Sequence, residues 1–314
     1  MAATQHTAAP TGRLARLRDS DILWSYRHSP VTIIASILVA IIVLAAAFAP
    51  WITPQNPFDL SGLNLMDGFT PPLSESRFSG NWYLLGSDGQ GRDMYSAVLY
   101  GARISLFVGI MAVAFAAVLG VSLGLLAGYV GGWIDTAIMR IADVQLSFPS
   151  ILIALMIFGI ARGFIAPANR EEMAIWVLIV SIGLSDWVQY ARTVRGATLV
   201  EARKEYVQAA RLIGLRPFLI MIRHILPNVM GPVLVIATIG LALAIIAEAT
   251  LSFLGVGVPP TSPSLGTLIR IGQDFLFSGE WWILLFPAAM LLVLALSVNI
   301  LGDWLRDALN PKLR

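Results

Sequence analysis

Six times along this 314-residue chain, apolar residues run on for the length a helix needs to cross a bilayer. A helix rises about 1.5 Å per residue, so roughly 20 residues cover the ~30 Å hydrocarbon layer. The runs are Val31–Ala49, Ile104–Gly128, Val144–Ala161, Met173–Tyr190, Val229–Ala247 and Trp281–Leu301. Asp186 interrupts the fourth near its end, and Glu248 closes the fifth. Lipid offers no water to the backbone, so each run is read as a helix that satisfies its own polar groups. Composition agrees: 57% of the residues are hydrophobic and 13% charged, with a mean hydropathy of +0.77, whereas soluble domains carry about 25% charge. The expected fold is all-α and polytopic, with about six transmembrane helices. The first run is too long, and begins too far from the N-terminus, for a cleaved secretory segment.

Loop charge sets the expected orientation, because Lys and Arg stay on the cytoplasmic side. With the N-terminus inside, the inner segments hold Arg13, Arg16, Arg18, Arg27, Arg140, Arg192, Arg195, Arg203, Lys204, Arg211, Arg216, Arg223, Arg306, Lys312 and Arg314. Arg77, Arg92, Arg103, Arg162, Arg170 and Arg270 fall outside. Both termini are therefore expected in the cytoplasm. This asymmetry accounts for a pI near 9.1, and no basic patch interleaved with stacking aromatics points to nucleic acid. The chain has no cysteine, which removes disulfides and thiolate metal sites. His6, His28 and His224 lack metal-ligand spacing. No Gly-x-x-x-x-Gly-Lys-Ser/Thr loop is present, so nucleotide chemistry would belong to another chain.

Residues 1–30 are read as a cytoplasmic tail, 31–301 as the membrane domain and 302–314 as a second cytoplasmic tail. Residues 50–103 form a long external segment rich in turn residues, including Pro54, Pro57, Pro71 and Pro72. The inner connection at 191–228 is also long but helical in composition. There Tyr206, Ala209, Ala210 and Ile213 recur at helical spacing. Gly214 can end a short helix, Pro217 can open a second and Pro227 can stop it. By periodicity alone this is a bent amphipathic connector at the membrane boundary.

Tyr206-Val207-Gln208-Ala209-Ala210-Arg211, with Gly214 and Ile225-Leu226-Pro227, resembles the cytoplasmic "EAA" loop of ATP-binding cassette importer permeases. Gln208 stands where the family name places glutamate, so a charged contact from that position does not carry over. Leu85–Asp93 continuing through Tyr100–Leu106, Glu248–Gly257 and Gly302–Arg314 resemble the second (C-type) permease of oligopeptide and dipeptide systems, with Asn310 in place of a usual aspartate. The resemblance covers residues 30–314 and implies a type I importer permease fold in a bacterial inner membrane. It implies a sister permease subunit, two ATPase subunits that use ATP and Mg, and an extracytoplasmic substrate-binding protein. It implies no covalent chemistry and no cofactor in this chain. It makes Glu205, Tyr206, Gln208, Ala209, Ala210, Arg211, Gly214, Leu226 and Pro227 the ATPase-coupling residues. Cargo identity stays open among dipeptides, oligopeptides, nickel complexes, glutathione and sugar-derived solutes.

Several residues admit two readings. Gln145, Ser147 and Pro149 either mark a kink beside the pathway or hydrogen-bond neighbouring helices; Asp186 and Gln189 either line a cavity or meet headgroups. Gly120, Gly124 and Gly128 read as a close-packing face. Glu248 is favoured as structural although an ionisable residue at membrane depth is a functional candidate. The Gly86–Gly91 stretch reads as a turn. A secondary transporter would show internal repeats or paired broken helices, and an intramembrane hydrolase would show a matched catalytic pair; both signals are sparse.

Overall fold

The computed structural model describes residues 25–308. His6, Arg13, Arg16 and Arg18 at one end, and Leu309 to Arg314 at the other, lie outside the described residues. The long helices are α1 (Pro30–Ala47), α2 (Met94–Val130), α3 (Gly132–Leu146), α4 (Ser150–Phe164), α5 (Arg170–Glu201), α6 (Glu205–Leu212), α7 (Leu226–Phe253), α8 (Leu265–Gln273) and α9 (Trp282–Ala308). Helices α1, α2, α5, α7 and α9 are long and apolar enough to span a membrane.

The third expected span, Val144–Ala161, is not one straight helix. It is the junction of α3 and α4, which meet at 100°. Pro149 has no N–H to donate and pushes Phe148 away from helical backbone, so the helix ends at Leu146 and restarts at Ser150. Helix α4 is then only about 22 Å long by its 15 residues. Helix α3 instead lies along α5, tied by Asp135–Arg195 and Asp143–Arg192 ion pairs.

Close packing sets the bundle. A Cβ on Gly120 or Gly124 would stand 2.4 and 2.5 Å from the carbonyl oxygens of Trp187 and Ala191, and one on Gly128 2.7 Å from Thr198 Cβ. Only hydrogen at these three positions lets α2 and α5 touch backbone to backbone. The ring of Tyr26, just before α1, meets that of Trp304 near the end of α9 at 5.3 Å. The beginning and end of the described bundle therefore share one side.

On the other side, residues 53–93 fold over the helix ends. The Asp67 carboxylate accepts hydroxyls from Ser76, Ser79 and Tyr83 (the last at 3.0 Å). Burial would raise its pKa, but these hydroxyls together hold it below the ordinary carboxylate value. Tyr83 is pushed up to about 12 by burial and by Asp67. Asp88 Oδ1 accepts the backbone N–H groups of Gln90 and Arg92 at 2.8 and 2.9 Å, and Asp93 caps α2 through Ser96 N at 2.8 Å. Gly91 takes φ +73°, and a Cβ there would meet the Asn64 carbonyl oxygen at 2.1 Å. The glycine-rich stretch is thus a structural turn.

Helix α8, too short for a periodicity search to isolate, wedges beneath this cap. Glu248 is fully buried beside it, accepting Ser105 Oγ at 2.6 Å and Ser252 Oγ at 2.7 Å. Ser105 Oγ also accepts the Leu265 N–H at 3.3 Å. The carboxylate therefore joins α2, α7 and the α8 entry, which is a structural role.

Candidate functional site

Helix α6 is eight residues long and stands on the same side of the bundle as Tyr26 and Trp304. Gly214 N–H bonds to Arg211 O at 3.0 Å and Leu215 N–H to Ala210 O at 3.1 Å, the paired closure that ends a helix on a left-handed residue. Gly214 supplies that residue at φ +78°, with open space around it. Pro217 sits at the start of the next helical turn, Pro217–Ile220.

Pro227 does not stop this segment, contrary to the sequence expectation. The chain passes from Pro217–Ile220 through a π-helical turn, Met221–Ile225, straight into α7, where Pro227 lies in the first turn. A proline there removes an N–H that a helix start leaves unpaired anyway, and the wider turn accommodates the ring. Leu226 begins α7 and is half-buried.

One face of α6 packs on the bundle. Val207 and Ala210 are buried against Ile220, Ile225 and Val229, whereas Tyr206, Gln208 and Ala209 are exposed. Beyond them Leu212, Ile213 and Phe218 are 87%, 76% and 70% exposed. With both faces partly apolar, an eight-residue helix does not announce which side is inward. Glu205 opens α6 and is exposed.

Polar contacts brace the heel of this bend and leave its tip free. The Tyr206 hydroxyl donates to Glu201 Oε2 and accepts Asn228 Nδ2 at 3.1 Å, joining α5, α6 and α7. Burial and then the Glu201 carboxylate push Tyr206 up to about 12, so it stays a neutral donor. Lys204 pairs with Glu201 at 2.6 Å, and Gln208 Nε2 donates to Arg203 O at 2.9 Å. Arg211 lies over the Tyr129 ring at 4.8 Å.

The residues suggested for a pathway separate into two groups. Gln145 is a clamp: its Nε2 donates to Leu184 O and Ser185 O at 2.8 and 2.9 Å, and its Oε1 accepts Trp187 Nε1 at 2.9 Å. Ser147 bonds back to Asp143 O at 3.1 Å on an exposed surface. Asp186 and Gln189 instead line a recess between α2, α5 and α7, with Tyr190, Ala116 and Gly240. The recess holds about 10 Å³, room for roughly one water.

Residues 120–314 match the family described as binding-protein-dependent transport system inner membrane components. Residues 20–72 match the N-terminal transmembrane domain of oligopeptide transport permease C. A putative peptide transport system permease protein of Brucella suis biovar 1 (strain 1330) is 39% identical over 281 residues, 90% of this chain and 88% of its own length. The dipeptide transport system permease protein DppC of Haemophilus influenzae is 36% identical over 293 residues, covering 93% and 94%. The oligopeptide transport system permease protein OppC of Bacillus subtilis (strain 168) is 34% identical over 294 residues, covering 94% and 90%. In fold, a chain of the inward-facing MetNI methionine ABC transporter superposes with a TM-score of 0.52 at 21% identity, over 69% of this chain and 98% of that one.

Proposed function

Because this chain belongs to the family of binding-protein-dependent transport system inner membrane components, we propose that the bend at 202–225 is the handle through which separate ATPase subunits drive transport. The chain is a transmembrane permease subunit of an ATP-binding cassette importer of peptide type. Transport is its role; in our reading the partner chains bind ATP and Mg and hydrolyse the nucleotide.

The observation that carries the proposal is the division within the bend. Val207 and Ala210 anchor it to the bundle, while Leu212, Ile213 and Phe218 project from the fold. Exposed apolar clusters mark interaction sites. A push on this tip passes through the Tyr206 hydroxyl to the ends of α5 and α7, the two helices that carry Asp186 and Gly240.

A sister permease subunit supplies the other half of the pathway. Supporting this, the recess beside Asp186 and Gln189 holds no more than a water, too little for a peptide within this chain's own α2, α5 and α7. An extracytoplasmic binding protein delivers cargo to the capped side. Both termini, with the bend, face the cytoplasm; the shared side of Tyr26 and Trp304 and the basic residues of the bend support that orientation.

Purification with the neighbouring chains, followed by reconstitution in proteoliposomes, tests the proposal. ATPase subunits should co-purify, and uptake of a dipeptide should require ATP. Uptake by this chain alone, without nucleotide, would refute it.

A further inference from the structure

Six arginines fall on the side where the positive-inside rule disfavours them, and four of these line two adjoining cavities on the outer side. The larger, about 490 Å³, is walled by Phe58, Phe69, Phe275 and Ile271, with Asp88, Gln90, Arg92 and Thr261 as its polar groups. The smaller, about 140 Å³, carries Arg162, Arg170 and Arg270, with Glu171 as its carboxylate. Pro260 lines both.

Arg92 is the unusual member. It is 5% exposed, yet its Nε has no hydrogen-bond partner and its guanidinium joins no ion pair among the described residues. The Asp88 carboxylate feels the Arg92 charge through space but makes no ion pair with it, and its Oδ1 is taken by two backbone N–H groups, those of Gln90 and of Arg92 itself. A buried charge is retained at such cost only where something pairs with it. The cavity is roomy and mostly apolar on its walls, with Asp88 as its one carboxylate, and past Pro260 it adjoins a cavity where three arginines outnumber Glu171. This favours a ligand with a carboxylate at one end and an apolar body.

We propose that the Phe58–Phe69–Arg92–Phe275 cavity is an entry site that receives the C-terminal carboxylate of a cargo peptide on Arg92, with an apolar side chain against the phenylalanines. The assignment of peptide as cargo rests on the function proposed above; the carboxylate site rests on Arg92 and its cavity. The planar guanidinium fork matches a carboxylate in two parallel hydrogen bonds. The three arginines of the second cavity extend the positive field inward along the outer mouth and draw the same anion.

The test compares the complete importer with its Arg92→Met variant in phosphatidylcholine membranes. The Arg92 guanidinium closes no ion pair within the fold, so the ligand-free variant should melt near the wild-type temperature. Dialanine and acetate should raise the wild-type melting temperature and leave the variant unmoved; dialanine amide, which lacks the carboxylate, should move neither. With the binding protein present, the variant's KM for dialanine uptake should rise about tenfold, as loss of one charge-assisted pair predicts, with kcat kept.

Early melting of the ligand-free variant would make Arg92 structural and overturn the site. So would equal shifts by dialanine and its amide, or no shift by dialanine and acetate in wild type. Repeating the melts with phosphatidylglycerol identifies a lipid source: if that headgroup alone stabilises wild type through Arg92 and dialanine then adds nothing, the cargo assignment falls. Absence of ATP-driven dialanine uptake by wild type would contradict the peptide reading, while the acetate arm would still decide the pocket.

Discussion

The cap at 53–93 and the bend at 202–225 are both long connections outside the helical bundle, and they are built in opposite ways. In the cap, hydroxyls and backbone N–H groups converge on Asp67, Asp88 and Asp93, and Trp282 Nε1 donates to Ser87 O at 3.0 Å to fasten it to α9. Its turns are fixed from within. The bend has one polar node at Tyr206 and a tip of exposed apolar side chains. A connection that satisfies its own polar groups completes the fold; one that leaves apolar surface uncovered waits for another chain.

Substitutions can break or sharpen this contrast, and the largest effect is expected in the cap. Gly91→Ala places a methyl 2.1 Å from the Asn64 carbonyl oxygen at φ +73°. It should cost about 3 kcal/mol and reduce the yield of folded protein, read by thermal melting in nanodiscs. Asp67→Asn removes the charge that three hydroxyls serve and should cost about 2 kcal/mol. The folded pKa of Asp67 lies below its ordinary value. Its contribution is therefore fully present above the ordinary carboxylate range and is lost as pH falls through the folded value. A pH series of melts should show that acid-side loss in wild type and not in the Asn variant.

Smaller structural effects are expected in the bend, with larger functional ones. Gly214→Val forces a β-branched residue into left-handed backbone at about 1–2 kcal/mol, and ATP-driven uptake should fall while membrane insertion persists. Tyr206→Phe loses the node between α5, α6 and α7 and should cost about 1 kcal/mol, with ATP hydrolysis partly uncoupled from uptake. Leu212→Ser with Ile213→Ser should change stability by no more than about 0.5 kcal/mol, yet lose the co-purifying ATPase. If the Ser pair kept full ATPase capture, the contrast between a closed cap and an open bend would have no functional meaning.

Much of this architecture is legible in the chain because lipid makes a blunt demand. Runs of about 20 apolar residues have few other uses, and Gly214 and Pro217 announce the bend through backbone constraints that act locally. Pro149 was visible as a break, but its 100° angle depends on α3 lying along α5 through Asp135, Asp143 and Gln145, pairings that span tens of residues. The Asp67 cluster is hidden for the same reason: its partners are brought in by turns, not by a repeat. Periodicity leaves the inward face of α6 open because Tyr206 and Val207 are both apolar enough to pack, and tertiary contact with Ile220 and Ile225 chooses Val207. Pro227 was misread because a proline that ends one helix and one that begins another look alike in sequence. Arg92 is legible as an outer-loop charge and as part of the Leu85–Asp93 motif, but only the fold shows that its Nε is buried without a hydrogen-bond partner.

The absence of native cysteine permits the most direct measurement. A single Ile213→Cys variant, assembled with its partners in membranes and treated with a short thiol-to-amine cross-linker, should join this chain to an ATPase subunit, while Ser79→Cys in the cap should not. A fully active transporter in which Cys at 213 never reaches an ATPase subunit would contradict the handle at the bend.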